Sequence, residues 1–127
     1  ADTFDLFSQV KQSHWNVKGR DFYQLHLLFD EIAAHLLDHG DLIAERATAL
    51  GGKAKGTARM AVANTRVPEL PDDIDEGMAY VGALVERFGT YAATTRGAID
   101  EADRAGDADT ADLFTEVSRL VDKDLWF

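Results

Sequence analysis

With 127 residues, no cysteine and a formal net charge of −10 at neutral pH, the chain can bury one core. Disulfides are excluded, and the acidic surface repels nucleic-acid phosphates. No apolar run reaches the roughly 18 residues of a membrane span and no signal peptide is visible, so the expectation is one domain over residues 1–127, soluble, cytoplasmic and without a membrane role.

The chain opens on Asp2 to Trp15, where Phe4, Phe7, Val10 and Trp15 suggest a helix already in progress. Asn16 to Arg20 is a turn with Gly19 as its breaker, and it folds His14 back along the segment that follows. Asp21 to Leu50 is then one long helix of roughly 29 residues and about 43 Å. Asp21 can cap its first turn with Gln24 three residues on, and Gly51-Gly52 stop it. Phe22, Leu25, Leu28, Phe29, Ile32, Leu36, Ile43 and Leu50 recur along it at helical spacing and predict a buried stripe. A looser stretch runs to Pro71, with a short helix over Ala58 to Asn64. A connection of about 20 residues is long for neighbouring antiparallel helices and suits a crossing from one end of a bundle to the other.

Asp72 to Ala105 reads as the third long helix, carrying Ile74, Met78, Val81, Leu84, Val85, Phe88, Tyr91, Ala92, Ile99 and Ala102 at helical steps. Gly77, Gly82, Gly89 and Gly97 weaken it by up to about 1 kcal/mol each, so tertiary packing must hold it, and small residues could allow close helix approach. Gly106-Asp107 turns the chain into a fourth long helix, Ala108 to Phe127, with Leu113, Phe114, Val117, Leu120, Val121 and Leu125 inward. Three large apolar residues at the bare end, Leu125-Trp126-Phe127, lead to the expectation that both termini are cut or disordered. The pattern predicts an all-α four-helix bundle with a long crossover, carrying a short helix, between the second and third long helices.

Two pairs on the long helix, His26/Asp30 and Asp41/Glu45, are each spaced i, i+4 and project from one face. At about 100° per residue all four positions fall within one arc of roughly 100°. His26 and Asp41 are nevertheless about 22 Å apart along the axis, so one ion with ligand distances of about 2.0 to 2.6 Å cannot be held by both pairs of one chain. The residue numbers of His26 and Glu45 add to the same total as those of Asp30 and Asp41. Two copies packed antiparallel about a two-fold axis, passing between His35 and Leu36, would therefore set His26 opposite the second copy's Glu45 and Asp30 opposite its Asp41. Imidazole with several carboxylates and no thiolate suits Fe, Mn or Zn. The same residues would also serve as a solvated acidic face with an ordinary structural histidine.

The segments SHWNVKG, LHLLFDE, HGDLIAERATALGG and GDADTADLFTEVSRLVDKDLWF, which follow one another over essentially the whole chain, resemble the Dps family of ferritin-like proteins. That resemblance implies a ferritin-like four-helix bundle assembled as a hollow homo-oligomer, a dodecamer built from two-fold dimers. It implies a ferroxidase that oxidises Fe²⁺, generally with hydrogen peroxide rather than dioxygen, stores ferric mineral and protects DNA from oxidative damage. The matching ligands are His14, His26 and Asp30 of one subunit with Asp41 and Glu45 of its two-fold mate. Members that bind DNA often do so through a Lys-rich tail, so a DNA-compacting role with secondary iron chemistry is the alternative. Against the family pattern, about 20 residues of the first helix and the last turn or two of the fourth are absent here. A monomeric di-iron bundle would carry Glu-x-x-His motifs within one chain, and none occurs.

Other residues admit two readings. Trp15 could shield the iron site or be a core or interface aromatic, and Arg46 could orient Glu45 or form a surface ion pair. Trp126 reads as packing, while His35 and His39 lie off the metal arc and stay outside the site. Asp103, Asp107, Asp109 and Asp112 crowd the last turn; this is either a solvated acidic helix start or, as the family implies, the lining of three-fold pores that admit Fe²⁺, with Asp112 and then Asp103 the best candidates.

Overall fold

The apolar repeats become five helices and no strand in the computed structural model, which describes residues 1–127. They are α1 (Asp2–Asn16), α2 (Phe22–Ala49), α3 (Ala58–Asn64), α4 (Gly77–Arg104) and α5 (Ala108–Trp126). The hairpins α1–α2 and α4–α5 pack side by side, with α1 also against α4 and α2 against α5. This is the expected four-helix bundle with α3 in the crossover.

The crossover runs alongside α1, and its fastenings follow in register. Asp2 accepts from Arg66 at 2.6 Å, Asp5 from the Thr65 hydroxyl at 2.8 Å, and Gln9 donates to Pro68 O at 2.9 Å. Lys18 N–H then donates to Asp75 O at 3.1 Å. The chain thereby returns to the α1–α2 turn before α4 begins, so α2 and α4 point the same way. Buried Arg87 of α4 secures the middle of this path by donating to Glu69 O and Ala83 O.

The core is one cluster in which Leu6 and Val10 of α1, Phe29, Ile32 and Leu36 of α2, Leu84, Phe88 and Tyr91 of α4, and Val117 and Val121 of α5 meet. Burial of each such side chain contributes about 1.5 to 3 kcal/mol. Tyr91 keeps its hydroxyl satisfied against Thr3, 2.8 Å away.

The structure corrects several sequence expectations. Residues 72–76 are not helical, because Lys18 claims the carbonyl of Asp75 and Glu76 takes an extended conformation as the N-cap of α4. Close approach occurs at Gly77 alone among the helix glycines: a Cβ there would lie 2.7 Å from Leu25 Cδ1, whereas Gly82, Gly89 and Gly97 face open space. Asp21 is the N-cap of α2 yet makes no side-chain capping bond. The turn before it relies instead on Gly19 at φ +105°, in the left-handed region that favours glycine. Phe4, Trp15, Phe22, Leu50, Met78, Val85 and Leu120 are exposed rather than buried. Periodicity identifies a helix face and does not say whether this chain or another one covers it. Trp126 and Phe127 are exposed as well, so Trp126 does not pack into this chain's core.

Candidate metal centre

His14 sits in the last turn of α1 and His26 in the second turn of α2, where the five-residue link brings them face to face. Their rings stack at 3.8 Å between centroids with an interplanar angle of 17°. Each ring bonds to the other's backbone: His14 Nδ1 lies 2.7 Å from His26 O, and His26 Nδ1 lies 2.8 Å from His14 O. A carbonyl oxygen only accepts, so both Nδ1 atoms carry their protons and both Nε2 atoms, when neutral, keep a free lone pair. This is the tautomer a metal ligand needs, fixed by a second hydrogen bond.

The chain path explains why His14 O is available. In a continuing helix it would accept from Lys18 N–H, four residues on. That N–H turns to Asp75 O instead, and the ring of His26 takes its place. The crossover contact that starts α4 late therefore also helps orient an imidazole.

Asp30, one turn beyond His26, places Oδ1 4.0 Å from His14 Nε2. It is held by Lys11, whose ammonium lies 2.6 Å away. That hydrogen bond holds the Asp30 carboxyl below the usual carboxylate range, so it is ionised at neutral pH. The ammonium occupies the side of the carboxylate where a cation would bind. Sequence reasoning missed Lys11, although its position three residues before His14 on α1 puts the two on one face. Lys11 also sits over the Trp15 ring at 6.0 Å, and Trp15 is otherwise open to solvent.

Asp41 and Glu45 lie near the far end of α2, exposed. Within one chain no group of three or more His, Asp or Glu side chains gathers closely enough to hold a metal. The structure thus brings His14, His26 and Asp30 near one another and leaves Asp41 and Glu45 apart from them. Along the same helix, α2 exposes Tyr23 and Leu27 beside the first group and Leu37 between the two. A cleft of about 620 Å³ between α1, α2 and residues 53–56 includes Asp41 but neither histidine, and its wall is mainly apolar, so it is not the metal centre.

Arg46 turns away from Glu45 to Thr110 (2.9 Å) and Asp107 (3.1 Å) at the start of α5. Asp107 accepts from the Thr110 hydroxyl and caps α5 by accepting from Thr110 N–H at 3.1 Å, and these bonds, with Arg46 beside them, hold its carboxyl below the usual range. Asp103, Asp109 and Asp112 remain exposed. His39 is buried, and His35 bonds to Asp124 of α5 at 2.9 Å. No helix is long and apolar enough to cross a membrane.

Comparisons with known proteins agree with this fold. A family profile, the ferritin-like domain, matches residues 1–127. The chain is 45% identical over 127 residues to the DNA protection during starvation protein of Agrobacterium fabrum, which covers 100% of this chain and 78% of that protein. DpsC from Streptomyces coelicolor superposes with a TM-score of 0.93 at 36% identity, covering 99% of this chain and 74% of that one. Dps from Staphylococcus aureus gives 0.92 at 29% identity, covering 98% and 83%. The chain belongs to the Dps family of ferritin-like proteins.

Proposed function

We propose that this protein is a cytoplasmic ferroxidase and iron store, whose centre forms between two subunits from His14, His26 and Asp30 of one and Asp41 and Glu45 of the other. The observation that carries the reading is the reciprocal bonding of His14 and His26, which leaves two Nε2 lone pairs beside an ionised Asp30. The outward face of α2 supports the pairing. In the antiparallel two-fold arrangement Leu37 of one copy lies opposite Ala34 of the other between the two sites, and Leu27 opposite Ala44 within each site, so large side chains meet small ones along the seam. Burying these leucines would bring Asp41 and Glu45 across to the imidazoles. Twelve subunits, as a closed shell of such dimers, complete the reading.

Fe²⁺ is the substrate. The imidazoles bind it, and the hard carboxylate oxygens favour the more highly charged Fe³⁺, which eases loss of one electron. Peroxide accepts a pair of these electrons and, with two protons, becomes water; dioxygen is the slower oxidant in this reading. Removing ferrous iron together with peroxide protects DNA without contact, which suits a chain of net charge −10.

The test is complementation. His26→Ala/Asp30→Ala chains and Asp41→Ala/Glu45→Ala chains are each inactive, and mixed dimers regain activity at one of their two interface sites. No recovery after verified subunit exchange overturns the shared site.

A further inference from the structure

We infer that Glu31 and His35 form a second site for a divalent transition-metal ion, on the α5 side of α2, with buried Asp124 holding the imidazole ready. Nothing in the intersubunit centre uses these residues, and the inference stands whether or not that centre is shared between chains.

The site is built on a helical i, i+4 pair that sets Glu31 Oε1 4.0 Å from His35 Nε2. That distance is too long for a hydrogen bond and close to the separation of two ligands on one ion. With ligand distances of about 2.1 Å, neighbouring donors lie about 3 to 3.4 Å apart. Glu31 is well exposed and can close the remaining gap by a side-chain adjustment. Both side chains keep exposed surface in the single chain, 62% for Glu31 and 36% for His35.

What separates this pair from an ordinary surface contact is the group behind it. His35 Nδ1 lies 2.9 Å from Asp124 Oδ1, and the Asp124 side chain is only 2% exposed. A carboxylate accepts, so Nδ1 carries the proton and the Nε2 lone pair of the neutral ring points outward past Glu31. Carboxylate, imidazole and metal in this order fix the tautomer and raise the basicity of the ligating nitrogen.

The second observation is that Asp124 is under-satisfied. Its Oδ2 is buried without a hydrogen-bond partner, and so is Nδ1 of neighbouring His39. A buried carboxylate with one free oxygen is costly unless positive charge compensates it. A cation on His35 Nε2 supplies that charge through the ring, which explains an acid at a position of α5 where Val117 and Val121 continue the core.

Zinc alone is the probe, in the assembled protein carrying His26→Ala and Asp30→Ala so that the first centre is removed. Calorimetric titration should show one residual Zn²⁺ per chain that His35→Gln abolishes and that Glu31→Gln and Asp124→Asn each weaken about 10-fold or more. In ¹⁵N NMR of the same background, Zn²⁺ should shift His35 Nε2 while Nδ1 stays protonated. A plain Asp124–His35 ion pair would leave Nε2 protonated and unmoved. Residual binding indifferent to His35→Gln, no residual binding, or an unmoved Nε2 overturns the inference. Ferroxidase activity of the unmodified protein reports on the intersubunit centre separately.

Discussion

Replacing Asp124 with leucine should make the protein more stable and a poorer binder of the second ion. Asp124 lies on the inward stripe of α5, its side chain 2% exposed, with one oxygen on His35 and the other unpartnered. Removing the unpartnered oxygen relieves about 1 to 3 kcal/mol, and losing the hydrogen bond of a charged group costs about 1.5 to 3 kcal/mol. These nearly cancel. Two further effects decide the sign: the buried leucine contributes about 2 kcal/mol, and the freed His35 ring, 36% exposed, turns to water. His39 nearby is left unharmed, because burial lowers its pKa and keeps it neutral. The net gain is about 1 to 2 kcal/mol, or a rise of about 4 to 7 °C in melting temperature for a chain of this size. Calorimetry of the assembled protein reads the first effect, and Zn²⁺ titration in the His26→Ala/Asp30→Ala background reads the second as a loss of at least about 10-fold. A lower melting temperature would refute the reasoning, because it would mean that Asp124 is held for the fold.

Asp2→Asn should destabilise by about 1 kcal/mol at neutral pH, since mostly exposed Arg66 is its main partner. Burial raises the Asp2 pKa, but the Arg66 hydrogen bonds and charge outweigh it and leave the pKa lowered. A depressed carboxyl stabilises the fold above its unfolded value of about 3.8 and loses that contribution as pH falls through the folded value. Urea unfolding of the two proteins should therefore converge in acid, and a gap that widens there contradicts the assignment. Lys11→Met should raise anaerobic Fe²⁺ binding by about two- to five-fold, because the ion no longer displaces an ammonium from Asp30. Unchanged or weaker binding, read by competition with a ferrous chelator, would show that Lys11 does not compete. Asp112→Asn should slow iron uptake most at low salt while leaving oxidation of bound iron nearly unchanged, since pore charge acts on arrival rate. An uptake rate indifferent to the substitution at low salt returns Asp112 to an ordinary helix-start residue.

What sequence reveals and what it hides divide along contact range. The four long helices and α3 follow from apolar spacing and breakers, and His14 and His26 from the turn that folds one helix back on the other. His35 and Asp124 are 89 residues apart on helices that no local pattern pairs. The available signal was an acid in a core stripe, since Val117, Val121 and Asp124 share one face of α5. Arg87, set between Leu84 and Tyr91, is the same kind of mark on α4. The start of α4 was misplaced because Ile74 and Met78 continue the helical period through residues 72–76. Their backbone belongs to the contact with Lys18 instead, a tertiary preference that overrides local propensity.

Dividing the proposed iron centre between chains has a chemical consequence. The lone subunit offers two imidazoles and one carboxylate, and Lys11 already occupies that carboxylate. Asp41 and Glu45 stand too far along α2 to help the histidines of their own chain, so ferrous iron meets an incomplete ligand set there. In the proposed two-fold pair Asp30 would face Asp41 of the second copy, with Glu45 close by opposite His26, and like charges brought together would repel. A cation would relieve that repulsion, so iron should bind the pair more tightly than the lone chain. By linkage it would also hold the pair together, by about 2.7 kcal/mol per site at a hundredfold excess over its dissociation constant. The proposed centre thereby ties iron oxidation to pairing: Fe²⁺ would be oxidised only where two chains complete the ligand set. A chain with all five ligands gathered on itself would oxidise iron in free solution and release an insoluble product there.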